Sequence, residues 1–329
     1  DAVDMLVVWL GSVAIILGIL SAVFRPAISA SIPDLVPKDK VASANSFNQS
    51  SYQVSALVGQ GTGGVLFRIL GAPVLFLIDG ITYLISAVSE LFISIPQEFP
   101  EKTKGARETM RVFLRDTGEG FTYIWRNKGM RDLFFAATVL NFFMSPFAVL
   151  LPFYIEDFLH ATPDWFGYFL AAIGLGAMIG FGLAGVVRFS GKTRTVMVIL
   201  FLFLDALVIA ALGLARAPVT ALLLGFLIGL LNSIVNINII TILQVTTPGR
   251  IRGRVFGVLG TISGGLVPIG MGLAGVIAGL VNNNIPLILI VSGLMVALCT
   301  LLVSFSRNFR EFLAFEPPAP PEVSTPPAE

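Results

Sequence analysis

The chain has little that ordinary active-site chemistry needs. Among 329 residues there is one cysteine, Cys299, and one histidine, His160. A single cysteine excludes a disulfide within the chain and a cysteine metal cluster. A single histidine leaves a zinc site without partners, so no metal is expected. Charge is scarce as well: 12% of residues are charged and the formal net charge is +1, against roughly a quarter charged in a soluble domain. The sequence contains no nucleic-acid-binding motif and no glycine-rich phosphate loop. Neither nucleic acid nor nucleotide is therefore an expected partner, and no cofactor is implied. No paired catalytic constellation is present, and enzymatic activity is not expected.

What the sequence has in abundance is apolar surface, with 55% of residues hydrophobic. A soluble core cannot hide that fraction, so the solvent for these side chains is lipid. Crossing a bilayer core of about 30 Å takes about 20 helical residues, and in lipid the backbone must satisfy its own hydrogen bonds. The expected fold class is all-α and multi-pass, a helical bundle with nine spans at about 5–33, 44–69, 73–95, 131–156, 165–188, 195–214, 218–243, 255–281 and 285–305. Alternating these spans puts Lys38, Lys40, the run from Lys102 to Arg131, Arg188, Lys192, Arg194, Arg250, Arg252, Arg254, Arg307 and Arg310 on one side, and leaves Arg68 and Arg216 on the other. Basic loops stay in the cytoplasm. The expected location is thus the cell (inner or plasma) membrane, with the C-terminus cytoplasmic.

Residues 98–130 form the longest polar connection. From Glu108 its pattern turns helical, with Val112, Phe113, Thr117, Phe121, Ile124 and Trp125 near one face. This predicts an amphipathic helix on the inner membrane surface. Residues 307–329, rich in proline toward their end, are expected to be a disordered cytoplasmic tail. The chain opens at Asp1, about four residues before the first span, and reads as a fragment.

The chain also repeats itself. Sliding it by 211 positions sets Gly18 against Gly229, Pro37 against Pro248, Gly59 against Gly270, Gly61 against Gly272 and Gly64 against Gly275. Two residues further on, Pro73 meets Pro286 and Gly80 meets Gly293. The first three spans (residues 1–97) thus match the last three of a six-span unit at 131–306. Parallel repeats of six helices are one plan of secondary transporters, and on that plan the first half lacks three helices.

Several stretches then carry a resemblance to a family. Phe24–Pro37 reads FRPAISASIPDLVP, Gly59–Gly64 reads GQGTGG, Gly120–Leu133 reads GFTYIWRNKGMRDL, Gly167–Gly180 reads GYFLAAIGLGAMIG and Thr241–Val255 reads TILQVTTPGRIRGRV. In this order and spacing they resemble the major facilitator superfamily, in the subgroup of enterobactin exporters and macrolide-efflux proteins. GQGTGG is similar to the family's fifth-helix antiporter motif, with Gln60 where a proline is usual. The resemblance implies helices four to twelve of twelve, alternating access, and export of a small amphipathic molecule (a drug, macrolide or siderophore) driven by proton antiport. A lysophospholipid or lipid transporter, and a non-transporting scaffold or degenerate fragment, remain alternatives. The partners would be the small-molecule substrate, protons and membrane lipids.

Ionisable groups inside a bilayer are expensive and therefore informative. Asp205 lies mid-span and Asp79 about two turns into its span; both are candidates for proton coupling, or equally for helix packing. Asn232 and Asn236 share a helical face. With Asn141 from another helix, and Gln60, they are candidates for lining the substrate cavity, or for bonding helix to helix. Gly59, Gly63, Gly64, Gly270 and Gly272 permit close backbone approach. Arg250, Arg252 and Arg254 are expected to hold a cytoplasmic loop at headgroups or acids, or to serve as a gate.

Overall fold

A computed structural model describes residues 2–92, 105–162, 164–187 and 189–316. Among them there are helices and turns and no strand. In chain order they are α1 (Ala2–Leu35), α2 (Val41–Glu90), α3 (Ala106–Arg126), α4 (Lys128–Phe153), α5 (Asp164–Val186), α6 (Gly191–Leu212), α7 (Pro218–Thr246), α8 (Gly249–Gly265), α9 (Val267–Leu280), α10 (Ile285–Ser304) and α11 (Arg307–Leu313).

Local chemistry sets the boundaries. The Asn127 side chain caps α4 by accepting from the Met130 amide, and Asn284 caps α10 by accepting from the Leu287 amide. Such caps satisfy amides that the first turn leaves orphaned. Proline begins α7 and lies in the first turn of α9 and α10, where its missing N–H costs nothing. Gly71 adopts φ 72° and divides α2 into two arms just before Pro73, a conformation glycine takes readily. Pro152 precedes a π-helical turn at Tyr154–Phe158.

Among the described residues, eight helical segments are long and apolar enough to cross a membrane. The expected ninth, 44–69, is helical. Its first turns carry Asn45, Ser46, Asn48, Gln49, Ser50, Ser51 and Gln53, and the side chains of 60–65 lie outside the described set. The helix that holds the expected span 131–156 begins at Lys128. Within the stretch expected to be disordered, 307–313 is helix, because Phe309, Phe312 and Leu313 are buried against α4 and α6. The residues from 317 onward, with Pro96, Pro100, Lys102 and Arg188, lie outside the described set.

The second half is tightly knit. A Cβ at Gly176 would overlap the Phe226 carbonyl, and one at Gly229 the Ile173 carbonyl, so α5 and α7 cross at backbone distance. Gly293 brings α10 to α6, where a Cβ would stand 2.5 Å from the Ala210 amide. Gly270 does the same for α9 and α4, against Ser145. Small residues at such crossings are how membrane helices associate. The first-half counterparts of these glycines differ: Gly18, Gly59 and Gly80 have nothing within 4 Å. The apolar windows of α1 and of the second arm of α2 likewise bury nothing within the chain.

Candidate functional site

The two halves meet most intimately at one end of the bundle. There Ser43 on α2 donates to the Gly185 carbonyl of α5 at 2.8 Å. Gly174 and Gly185 let α5 approach the same helix, with a Cβ at Gly174 falling 2.6 Å from the Gln53 amide and one at Gly185 2.9 Å from the Ser46 Cβ.

A buried polar network lies beside this contact. Gln244, in the last turn of α7, has no exposed surface and Asn45 on α2 is 3% exposed. Asn45 Nδ2 donates to Gln244 Oε1 at 2.5 Å and to Thr241 Oγ1 at 3.2 Å. Gln244 Nε2 donates to the Ser29 carbonyl of α1 at 2.6 Å and returns a 3.2 Å bond to Asn45 Oδ1. Arg252, near the start of α8, closes the set. Its Nε donates to the Gln244 carbonyl at 3.2 Å, and Nη1 donates to the Ala30 carbonyl and to Asp34 Oδ1, each at 2.9 Å. Amides can both give and accept, so two of them can satisfy each other in a dry contact. The guanidinium supplies donors in a fixed fork. The result is a polar latch joining α1 and α2 to α7 and α8.

Behind the latch is a cavity of about 330 Å³, lined by Ile28, Ser29, Asn45, Asn48, Gln49, Tyr52 and others. It mixes apolar and amide groups, the composition of a small-molecule site. Arg254 sits outside the latch and ties α8 to α3: its two terminal nitrogens reach Asp116 Oδ2 at 2.7 Å and Glu119 Oε2 at 2.5 Å. The Tyr123 hydroxyl donates to the Thr246 carbonyl at 3.2 Å, and burial raises its phenol above the ordinary value. Arg250 lines a groove with Arg115 and Arg126.

A second polar site lies deeper. Asp205 on α6 is 4% exposed. Its carboxyl lies beside the Asn232 side chain of α7, and its Oδ1 is buried without a partner. The sequence reading named both residues and assigned them to separate roles; the fold brings them together. Asn141 does not join them: it donates to the Ala137 carbonyl of its own helix at 2.7 Å. The side chains of Asn236 and Asp79 are exposed, and among the described residues no cation pairs with Asp79. None of Asn141, Asn232 and Asn236 lines the cavity behind the latch. Gly272 has open space around it. The Gln60 side chain, with Gly63 and Gly64, lies outside the described set. Sequence reasoning missed Asn45, Gln49 and Gln244. The available signal was a run of amides and hydroxyls, 45–53, inside an otherwise apolar protein.

Known proteins resemble the chain in sequence. The chain is 28% identical over 244 residues to the multidrug efflux pump Tap of Mycolicibacterium fortuitum, covering 71% of this chain and 56% of that protein. It is 23% identical over 272 residues to macrolide efflux protein A of Enterococcus faecalis, covering 80% of this chain and 81% of that one. It is 26% identical over 253 residues to an MFS-type transporter of Bacillus subtilis, covering 74% of this chain and 58% of that protein. The chain thus spans little more than half the length of two of these relatives. Residues 5–268 match the family model of the Major Facilitator Superfamily, and the chain, a multi-pass membrane protein, belongs to that superfamily.

Proposed function

We propose that this protein is a secondary exporter of small amphipathic molecules, such as a drug, a macrolide or a siderophore, coupled to protons and working by alternating access. The observation that carries the reading is the latch. A transporter must close one end of its cavity at a time. Here a dry, reciprocal amide pair and one arginine close an end between the two repeat units, with a cavity directly behind. The efflux activity named for the relatives favours export. The one-sided distribution of lysine and arginine supports a cytoplasmic position for the latched end and the C-terminus. The conformation is then shut toward the cytoplasm.

In this proposal Asp205 carries the proton. It is buried mid-span, one carboxyl oxygen has no partner, and the other group in contact, Asn232, is on the helix that ends in Gln244. Proton exchange at Asp205 changes what Asn232 is bonded to, and α7 is stiff enough to pass that change to the latch. The two side chains are twelve residues apart, about 18 Å along a helix.

Locking the closed end tests the reading. Cysteines at 43 and 185, in a Cys299→Ala background, stand within disulfide reach, since a Cβ at Gly185 lies 3.8 Å from the Ser43 Cα. Oxidation should stop efflux of a fluorescent dye from cells, and a reductant should restore it. Undiminished efflux from the fully cross-linked protein would show that this end need not open.

A further inference from the structure

Of the long described helices, α3 alone is long enough to span a bilayer and too charged to do so. It runs into α4 at a single residue, Asn127, so its C-terminal end sits where a membrane span begins. One side of α3 is held to protein: Gly120 touches the Arg254 backbone, Ile124 is buried, and Asp116 and Glu119 grip the Arg254 guanidinium. Another side is bare. Met110, Phe113, Leu114, Phe121 and Trp125 recur at helical spacing and are each between 46% and 63% exposed. Phe121 and Trp125 stack with ring centroids 5.5 Å apart, which makes the stripe continuous at its end.

We infer that this bare face of α3 is a binding surface for anionic phospholipid at the membrane boundary. Charge complementarity selects the occupant. The helix and the first turn of α4 carry Arg107, Arg111, Arg115, Arg126, Lys128 and Arg131. Two of the three acids of α3 are already bound to Arg254, which lies on α8. The stripe cannot rest in water, and the arginines cannot rest in hydrocarbon; the boundary satisfies both. Arg131 places its guanidinium carbon 5.8 Å from the Trp125 ring centre. A tryptophan with a cation at its face belongs at the headgroup level. A cluster of four to eight basic residues on an amphipathic helix beside a span favours anionic over zwitterionic headgroups. The helix is bolted to α8 two residues from Arg252 of the latch, so lipid bound here bears on the element that closes the transporter.

The test uses the full chain with Trp9→Phe and Trp165→Phe, leaving Trp125 as the sole tryptophan, in vesicles of phosphatidylcholine mixed with phosphatidylglycerol. Bromine is carried on one lipid or the other, and Trp125 quenching is compared. The expected result is several-fold stronger quenching by brominated phosphatidylglycerol. Arg107→Gln with Arg111→Gln and Arg126→Gln should bring the two lipids to parity, since each basic residue near an anionic surface is worth roughly fivefold. The corresponding lysine variants should keep the preference. Unchanged quenching by brominated phosphatidylcholine in the glutamine variant shows that the helix remains in place. Equal quenching by both lipids in the parent would overturn anionic recognition. Quenching by neither would show the face covered by protein, such as a second copy, and would also overturn it.

Discussion

Gln244→Met keeps side-chain length and volume and removes every polar atom that the latch uses from that side chain. Three bonds go: Asn45 Nδ2 to Gln244 Oε1, and Gln244 Nε2 to the Ser29 carbonyl and to Asn45 Oδ1. Asn45 Nδ2 keeps Thr241. Two acceptors, the Ser29 carbonyl and Asn45 Oδ1, are then left without this donor. A buried group so orphaned costs about 1–3 kcal/mol. Both residues border the cavity behind the latch, so a small shift toward it relieves part of the loss, and the lower part of that range applies. When the end opens, all these groups hydrate in parent and variant alike. The loss therefore falls on the closed state, about 2–3 kcal/mol in total, which shifts the open-to-closed ratio roughly 30- to 150-fold. A cysteine at Gln49 reports it. In a Cys299→Ala background, inside-out vesicles are treated with a membrane-impermeant maleimide, and the labelling rate of Cys at 49 follows the open fraction. A rate within about threefold of the parent, under ~0.7 kcal/mol, would mean that the amide pair does not hold this end shut.

Three further outcomes are expected. Asp205→Asn keeps the shape and the Asn232 contact and removes the titrating group, so it should abolish gradient-driven efflux while the purified protein stays monodisperse; full efflux would remove Asp205 from the coupling scheme. Deleting everything after Ser306 strips Phe309, Phe312 and Leu313 from the core and the Leu313 and Phe315 carbonyls from the buried Arg194. At about 1.5–3 kcal/mol for each large apolar side chain, thermal unfolding in detergent should move down by several degrees, and an unmoved transition would show α11 to be peripheral. Gly229→Ala drives a methyl into the Ile173 carbonyl and should cost about 1–3 kcal/mol or more, whereas Gly18→Ala meets nothing within 4 Å and should leave unfolding of this chain unchanged.

The fold was readable because its largest energy term is written in composition. Apolar length fixes a span whatever its neighbours are, and the basic residues mark one side. The amphipathic α3 was legible for a related reason: a periodicity of apolar positions needs no partner to be seen. The π-helical turn after Pro152 and the helical tail at 307–313 were not legible. Proline signals a disturbance and not its form, and Phe309, Phe312 and Leu313 are too few to make a period before the groove between α4 and α6 exists to receive them.

The site was legible only where a residue was costly by itself. Asp205 stands out in any reading, because a carboxyl among leucines demands a reason. Asn45 and Gln244 do not, since each alone is an ordinary polar residue near a helix end. What makes them a latch is that one helix from each repeat unit brings an amide to the same place, nearly 200 positions apart in sequence. The glycines teach the same lesson from the other side. Gly18 and Gly229 are equivalent in the repeat and identical in the sequence. One is crushed against Ile173, and the other faces open space. Sequence periodicity identifies where a close approach is permitted. Only the neighbouring helix decides whether that permission is used, which is why Gly229 should be intolerant of a methyl group in this chain and Gly18 should not.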